Sequence, residues 1–196
     1  MRDIQSFYDH MASQYEKLFL DWQITVKEQA RILHTLFLDQ GFSRTARILD
    51  CACGIGTQAI GLAALGYTIT ASDISAGALV EAKGHAAESG LNIRFEQADF
   101  CALSSTFTEK FDIAIAMDNA LPHMLSRSAL QATIASITAQ LAPGGMFVSS
   151  IQDYDALLRD KPPTLPRISI RRGRSAGLFP DMGLGWRPLQ ADSVYH

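Results

Sequence analysis

The feature that most restricts the fold is a buried strand that runs directly into a glycine turn and then into a helix. Residues 46–50 are mainly apolar and suit a strand, and residues 50–57 read D-C-A-C-G-I-G-T. An apolar helix is predicted from 58 to 65, where Gly66 ends it. This pattern predicts a β-turn-α unit, whose helix and strand bury their apolar faces against each other in a layered sheet.

The same kind of unit is repeated along the chain. A second strand is predicted at 67–72, with Asp73 at its end, and a helix follows at 75–88. Further strands are predicted at 93–96, 111–117 and 146–151. The alternation predicts the α/β fold class: a Rossmann-like three-layer α/β/α domain with a mainly parallel sheet, in the strand order 3-2-1-4-5.

The chain divides into three predicted parts. Near the N-terminus, the apolar residues that repeat at helical spacing are Trp22, Val26, Ala30, Leu33 and Phe37. Residues 1–41 are therefore predicted to form an N-terminal helical lid. Residues 42–160 contain the predicted Rossmann-like domain, and residues 161–196, which are rich in proline, are predicted to be an irregular tail.

Composition argues against several classes of protein. The formal net charge is −3 at pH 7, so the chain has no overall positive field to attract nucleic acid. No signal peptide is recognisable, and the apolar stretches are too short to cross a bilayer, so we expect a cytoplasmic protein without a membrane partner. Cys51 and Cys53 have a spacing that suits neither a zinc site nor a CxxC motif, and no metal is predicted.

Three carboxylates and two glycines follow the predicted strands at their carboxyl ends. Asp50 ends the first strand, Asp73 ends the second, and Asp99 follows the third. The carboxyl ends of parallel strands meet at one sheet edge, where ligands bind in open α/β folds, so we expect these side chains to gather there. Gly54 and Gly56 would let a ligand approach the backbone closely and would allow positive φ in the turn.

Each carboxylate has a distinct task if the ligand is a positively charged adenosyl compound. Asp73 would accept hydrogen bonds from the ribose hydroxyls. Asp99 would accept from the adenine amine, with Phe100 and Ile74 packed on the faces of the ring. Asp50 would stabilise the positive charges of the ligand and help to position the turn.

The glycine turn alone is also compatible with a different enzyme. Residues 54–59, G-I-G-T-Q-A, match the loose G-x-G-x-x-[GA] pattern of dinucleotide-binding proteins, so an NAD(P)-dependent dehydrogenase is an alternative. A dinucleotide fold often has a second mononucleotide-binding half, whereas no strand pattern follows the fifth strand here.

Three segments together resemble class I S-adenosylmethionine-dependent methyltransferases. Residues 50–57 are similar to the D-x-A-C-G-x-G-T motif of that family, residues 7–16 to its Y-D-x-x-A-x-x-Y-[DE] opening, and residues 141–145 to its L-x-P-G-G turn before strand five. The resemblance covers residues 7–160 and implies S-adenosylmethionine as cofactor and S-adenosylhomocysteine as product. The cofactor-binding residues that it implies are Asp50, Ala52, Cys53, Gly54, Gly56, Asp73, Ile74, Asp99, Phe100 and Met117.

Two further segments are similar to glycine/sarcosine N-methyltransferases. Residues 118–123, D-N-A-L-P-H, resemble the G-N-S-x-x-H-L motif of those enzymes, and residues 153–155, D-Y-D, resemble their N-Y-D motif. The resemblance implies a small-molecule acceptor, an amine, contacted by Asn119. Gln152 stands where those enzymes have an arginine that holds the substrate carboxylate, and a neutral amide cannot form the same charge-assisted bond.

The predicted catalytic residues are Asn119, His123 and Tyr15. His123 is able to take a proton from an amine or a hydroxyl because histidine titrates near neutral pH. Tyr8 and Tyr15 are seven residues apart, so a helical lid would bring both hydroxyls over the cofactor site. A non-catalytic module that only binds S-adenosylmethionine is the second alternative.

The end of the chain departs from the family pattern. A class I methyltransferase usually continues after strand five with two antiparallel strands, and residues 170–196 do not show that pattern, so these strands are predicted to be missing or altered. An uncovered sheet edge readily pairs with another strand. We therefore expect a homodimer through the edge of strand five unless the tail covers it.

Overall fold

A computed structural model describes residues 2–19, 21–160 and 189–190 of the chain. The helices are α1 (Arg2–Met11), α2 (Trp22–Asp39), α3 (Thr57–Ala64), α4 (Ala76–Glu88), α5 (Arg127–Thr138) and α6 (Tyr154–Asp160). The strands are β1 (Arg47–Asp50), β2 (Thr68–Asp73), β3 (Arg94–Gln97), β4 (Phe111–Ala116), β5 (Leu141–Ser149) and β6 (Leu189–Gln190). A 3₁₀ helix, Ala12–Leu18, follows α1.

The sheet has the order β3-β2-β1-β4-β5-β6. Strands β1 to β5 are parallel, so the predicted fold class and the order 3-2-1-4-5 are confirmed. Helices α2 and α3 cover one face, where Ile48 packs with Phe37 and Leu62. The other face carries Leu49, which packs in a second cluster with Ile137 of α5. Consecutive residues of β1 thus enter opposite layers of the core, as strand geometry requires.

The far edge of the sheet differs from the predicted irregular tail. Strand β6 pairs antiparallel with β5, placing Leu189 opposite Phe147 and Gln190 opposite Met146. Backbone pairing of this kind satisfies the N–H and C=O groups of an edge strand and needs no side-chain periodicity, so the sequence pattern did not reveal it. At these two positions the edge of β5 is covered by β6. The prediction of a homodimer assumed an uncovered edge, and that assumption does not hold at these positions. The rest of 161–196 lies outside the described residues.

Strand β5 begins earlier than its predicted start at Met146. Its pairing with β4 passes from Phe111 opposite Leu141 to Ile113 opposite Met146, so the register shifts between these pairs. The proline and glycines of residues 142–145 therefore form a bulge inside the strand instead of a turn in front of it. A bulge accepts a proline and glycines because its residues are left out of the regular hydrogen-bond ladder.

The N-terminal segment is helical, as predicted, and several hydrogen bonds join it to the sheet domain. The Asp9 carboxylate accepts hydrogen bonds from the Ser75 hydroxyl at 2.5 Å and from the Gly77 amide at 3.0 Å, both at the start of α4. The Trp22 indole donates to the Thr57 hydroxyl at 2.9 Å. These bonds hold the segment above the carboxyl edge of the sheet.

Two further observations concern the described residues alone. No helix among them is both long and apolar enough to cross a membrane. Within the same residues, no three His, Cys, Asp or Glu side chains lie together in a way that could hold a metal ion.

Candidate active site

A cavity lies at the carboxyl ends of β1, β2 and β4, beside the point where the strand order reverses. It contains about 840 Å³ of empty space, counted out to its open mouth. The residues of the predicted site that line it are Tyr15, Ala52, Cys53, Asp73, Ile74, Phe100, Met117 and His123. The predicted residues that do not line it are Asp50, Gly54, Gly56, Asp99 and Asn119.

Asp73 links the end of β2 to the glycine turn. Its Oδ2 accepts a hydrogen bond from the Gly54 amide at 2.8 Å, and its Oδ1 accepts from the Ser75 amide at 2.9 Å. Burial raises the pKa of Asp73, and these two amides oppose the rise. The carboxylate is thereby held in one orientation at the wall of the cavity.

Both glycines of the turn adopt the positive φ that the sequence predicted, 52° at Gly54 and 93° at Gly56. A Cβ on Gly56 would lie 2.9 Å from Cδ1 of Ile60 and 3.3 Å from Cβ of Ala82. Gly56 therefore leaves room for Ile60 of α3 and for Ala82 of α4, while Cys53 and Ile55, beside the two glycines, line the cavity.

Asp50 lies behind the turn and is fully buried, with 0% of its surface exposed. Neither of its carboxyl oxygens has a hydrogen-bond partner among the described residues. Burial raises the pKa of Asp50 to about 8, while the nearby amides of Ala52 and Ala59 oppose the rise without reaching hydrogen-bond geometry. The structure thus places Asp50 beneath the cavity wall and not on it.

We expect Asp50→Asn to stabilise the ligand-free protein increasingly as pH rises. The carboxyl ionises near its ordinary pKa of 3.8 in the unfolded chain but only near 8 in the folded chain. The stability that the neutral Asp50 carboxyl provides is therefore fully present below the unfolded-state pKa of 3.8. It is lost as pH rises through the folded-state pKa of about 8. Urea denaturation of both proteins at about pH 5, 6.5 and 8 measures this difference. Parallel pH profiles would contradict the burial of an ionisable Asp50.

Two predicted contact residues are engaged by neighbouring backbone. The Asp99 Oδ1 accepts a hydrogen bond from the Cys101 amide at 2.8 Å. The Asn119 Oδ1 accepts from the Gln152 amide at 2.6 Å, which ties the loop after β4 to the loop after β5. Their contacts with adenine and with the acceptor stay predictions, whereas Phe100 does line the cavity.

Aromatic side chains from the N-terminal segment cover one side of the cavity. The Tyr8 hydroxyl is hydrogen-bonded to Nε2 of His123 at 2.8 Å. The ring centroids of Tyr8 and Tyr15 are 6.4 Å apart, and both residues line the cavity. Burial and the negative charge of Asp118 raise the pKa of the Tyr15 hydroxyl, so it remains a hydrogen-bond donor.

Asp118 and Gln58 line the cavity but were not selected from the sequence. The Gln58 amide donates to Oδ2 of Asp118 at 2.8 Å and to Oε1 of Gln29 at 2.5 Å. Burial raises the pKa of Asp118, and the side chains of Gln58 and Gln29 oppose the rise. A signal was present in the sequence, because Asp118 occupies the first position of a motif that begins with glycine in the similar N-methyltransferases.

The fold is a Rossmann-like domain with a cavity at the carboxyl edge of its sheet. Residues 48–145, half of the chain, match the family model described as "Methyltransferase domain". The chain belongs to this family, the class I S-adenosylmethionine-dependent methyltransferases.

Curated relatives act on different acceptor atoms. The chain is 27% identical over 154 residues to the glycine/sarcosine N-methyltransferase of Halorhodospira halochloris, covering 76% of this chain and 58% of the relative. It is 34% identical over 102 residues to the ubiquinone biosynthesis O-methyltransferase of Caulobacter sp. strain K31, covering 52% of this chain and 39% of the relative. The chain thus spans less than two thirds of the length of these relatives.

Solved structures agree with the fold. An S-adenosylmethionine-dependent methyltransferase from Clostridium acetobutylicum superimposes with a TM-score of 0.65 at 22% identity, covering 78% of this chain and 61% of that one. The magnesium protoporphyrin IX methyltransferase of Synechocystis, solved with bound SAH, superimposes with a TM-score of 0.64 at 15% identity. The match covers 83% of this chain and 80% of that one. At these identities the likeness concerns the fold alone.

Proposed function

We propose that the protein transfers a methyl group from S-adenosylmethionine to a small-molecule acceptor, and that the acceptor atom is an amine nitrogen. The observation that carries this proposal is the cavity at the carboxyl edge of the sheet, where the glycine turn, Asp73 and Asp118 meet. The resemblance of residues 118–123 to an N-methyltransferase motif supports nitrogen over oxygen.

The side chains around the cavity suit S-adenosylmethionine chemically. That molecule carries a sulfonium, an ammonium and a carboxylate group, so its net charge is positive, and the acidic side chains that line the cavity are Asp73 and Asp118. No lysine or arginine of the described residues lines it. Since a desolvated carboxylate is stabilised by a nearby positive charge, this set of side chains favours a cationic ligand.

The proposed reaction is an in-line displacement. When bound, S-adenosylmethionine supplies a methyl group on a positively charged sulfur. An acceptor that arrives as an ammonium loses a proton, and its nitrogen lone pair then attacks the methyl carbon while the carbon–sulfur bond breaks. The products are S-adenosylhomocysteine and an N-methylated acceptor that carries the positive charge. The protein has to hold the nitrogen opposite the sulfur and exclude water.

We assign the residue roles accordingly. Asp73 binds the ribose hydroxyls in the orientation set by its two backbone partners, and Phe100 and Ile74 contact the adenine. Residues 1–41 act as the lid over a cofactor-binding domain of residues 42–160, and Tyr8 and Tyr15 exclude water. His123 accepts the proton that the acceptor loses. Its Nε2 is hydrogen-bonded to the Tyr8 hydroxyl, so this hydrogen bond has to open before Nε2 can accept the proton.

Thermal unfolding with two competing ligands tests the proposal. S-adenosylhomocysteine at 100 times its dissociation constant should stabilise the protein by about 2.7 kcal/mol, whereas NAD should leave the melting temperature unchanged. Stabilisation by NAD alone would instead support the dehydrogenase. Binding of S-adenosylhomocysteine without methyl transfer to any amine or hydroxyl compound would support the non-catalytic module.

A further inference from the structure

Asp118 presents a carboxylate to the cavity from an unusual backbone conformation. Its φ is 51°, in the left-handed region that only glycine, asparagine and aspartate adopt readily. The conformation is held by a hydrogen bond from its own amide to the Ser150 hydroxyl at 2.7 Å, and the side chain is held by Gln58. Because strained backbone is often retained at functional sites, this position is a candidate ligand contact.

Aromatic rings stand beside this carboxylate. Tyr8 and Tyr15 line the same cavity as Asp118, and the negative charge of Asp118 contributes to the raised pKa of the Tyr15 hydroxyl. The Tyr8 ring packs against Tyr15 and meets the His123 ring edge to face, with centroids 5.6 Å apart. A carboxylate next to aromatic faces is an arrangement that binds organic ammonium groups, through charge and through cation–π attraction.

The charges in the cavity also discriminate against one class of amine. Asp73 and Asp118 both line the cavity, and neither forms an ion pair within the described part of the chain. An amino acid acceptor would bring its own carboxylate onto the carbon next to the nitrogen that faces Asp118, and no lysine or arginine of the described residues lines the cavity to pair with it. A simple amine brings only the positive charge.

Resting on the function proposed above, we infer that the acceptor is an organic amine without a carboxylate, and that Asp118 binds its nitrogen while the tyrosine rings contact its carbon atoms. The inference narrows the acceptor class and assigns the contact to Asp118, whereas the motif resemblance assigned it to Asn119.

Matched acceptors test the class of substrate. Methylamine is compared with glycine, and 2-phenylethylamine with phenylalanine, since the members of each pair differ only by the carboxylate. We expect kcat/KM for methyl transfer to favour the amine of at least one pair by about tenfold or more. A preference for the amino acids would overturn the inference and leave the proposed methyltransferase function intact.

The variant Asp118→Asn tests the residue. Asparagine also adopts positive φ and keeps an oxygen for Gln58, so the loop should be preserved. We expect kcat/KM for the preferred amine to fall by about tenfold or more, mainly through KM, while calorimetry shows S-adenosylhomocysteine affinity within about threefold of wild type. The control Glu88→Gln removes an exposed charge at the end of α4, outside the lid and the cavity lining, and should change neither value.

The remaining outcomes also decide the question. If Asp118→Asn weakens S-adenosylhomocysteine binding as much as turnover, the carboxylate serves the cofactor and the assignment is overturned. If none of the four acceptors is methylated, calorimetry measures their binding to the S-adenosylhomocysteine complex. Binding of an amine but not of its matched amino acid supports the inference. Binding of neither amine overturns it. A protein that binds no S-adenosylhomocysteine refutes the proposed function itself.

Discussion

Asp73→Ala is expected to weaken S-adenosylhomocysteine binding by about 1–3 kcal/mol, the scale of lost hydrogen bonds to a charged group. The carboxylate is the proposed partner of the ribose hydroxyls, and it also accepts hydrogen bonds from the backbone amides of Gly54 and Ser75. Alanine removes both functions, so the ligand loses its contact and the glycine turn loses its anchor. Isothermal titration calorimetry measures the change in affinity.

Two further variants separate these effects. Asp73→Asn keeps one acceptor oxygen for two amides and should fall between wild type and Asp73→Ala. Glu88→Ala removes an exposed carboxylate at the end of α4, outside the lid and the cavity lining, and should leave the affinity unchanged. If Asp73→Ala binds S-adenosylhomocysteine as tightly as wild type, the proposed ribose contact is wrong.

Gly61→Ala should destabilise the folded protein by about 2–3 kcal/mol, because overpacking in a dense core forces neighbouring atoms apart. A Cβ at Gly61 would lie 2.6 Å from the carbonyl oxygen of Val26 and 2.7 Å from Cβ of Ala30. The nearest of these is a backbone atom of α2, so relief requires that α2 and α3 separate. Urea denaturation monitored by circular dichroism measures the loss.

Gly84→Ala provides the matched substitution in a helix. Gly84 lies in α4, and a Cβ there meets no atom within 4 Å. Alanine is expected to stabilise the protein by about 0.5–1 kcal/mol, since it reduces the conformational freedom of the unfolded chain. Equal stabilities of the two glycine variants would show that α2 does not approach α3 as closely as described.

The sheet was predictable because its signals are local. The buried run at residues 46–50 and the glycine turn after it identified β1 and α3, and the same alternation identified β2 to β4. The register of β5 was not predictable in the same way, since the bulge at residues 142–145 depends on how the strand pairs with β4. Strand β6 has only two described residues, Leu189–Gln190, and was recognised through its backbone pairing with β5, which no local sequence pattern predicts.

The candidate site was predictable in part for the same reason. Asp73 ends β2 and Phe100 lies in the loop after β3, so their position at the cavity follows from the topology of a parallel sheet. Asp118 and Gln58 were missed because nothing local shows that a glutamine of α3 meets the loop after β4. Asn119 was selected from a motif, but a motif does not show which group its side chain forms a hydrogen bond with.

The sequence by itself determined the order of helices and strands, the glycine turn and the gathering of acidic residues at one sheet edge, because each depends on residues that are neighbours along the chain. The tertiary structure alone decided which of those residues face the cavity. That choice depends on contacts between distant segments: Asp50 is turned into the core, Asn119 is held by Gln152, and Asp118 is held by Gln58 at the wall of the cavity. Burial and competing hydrogen bonds set these orientations, and both exist only after the chain has folded.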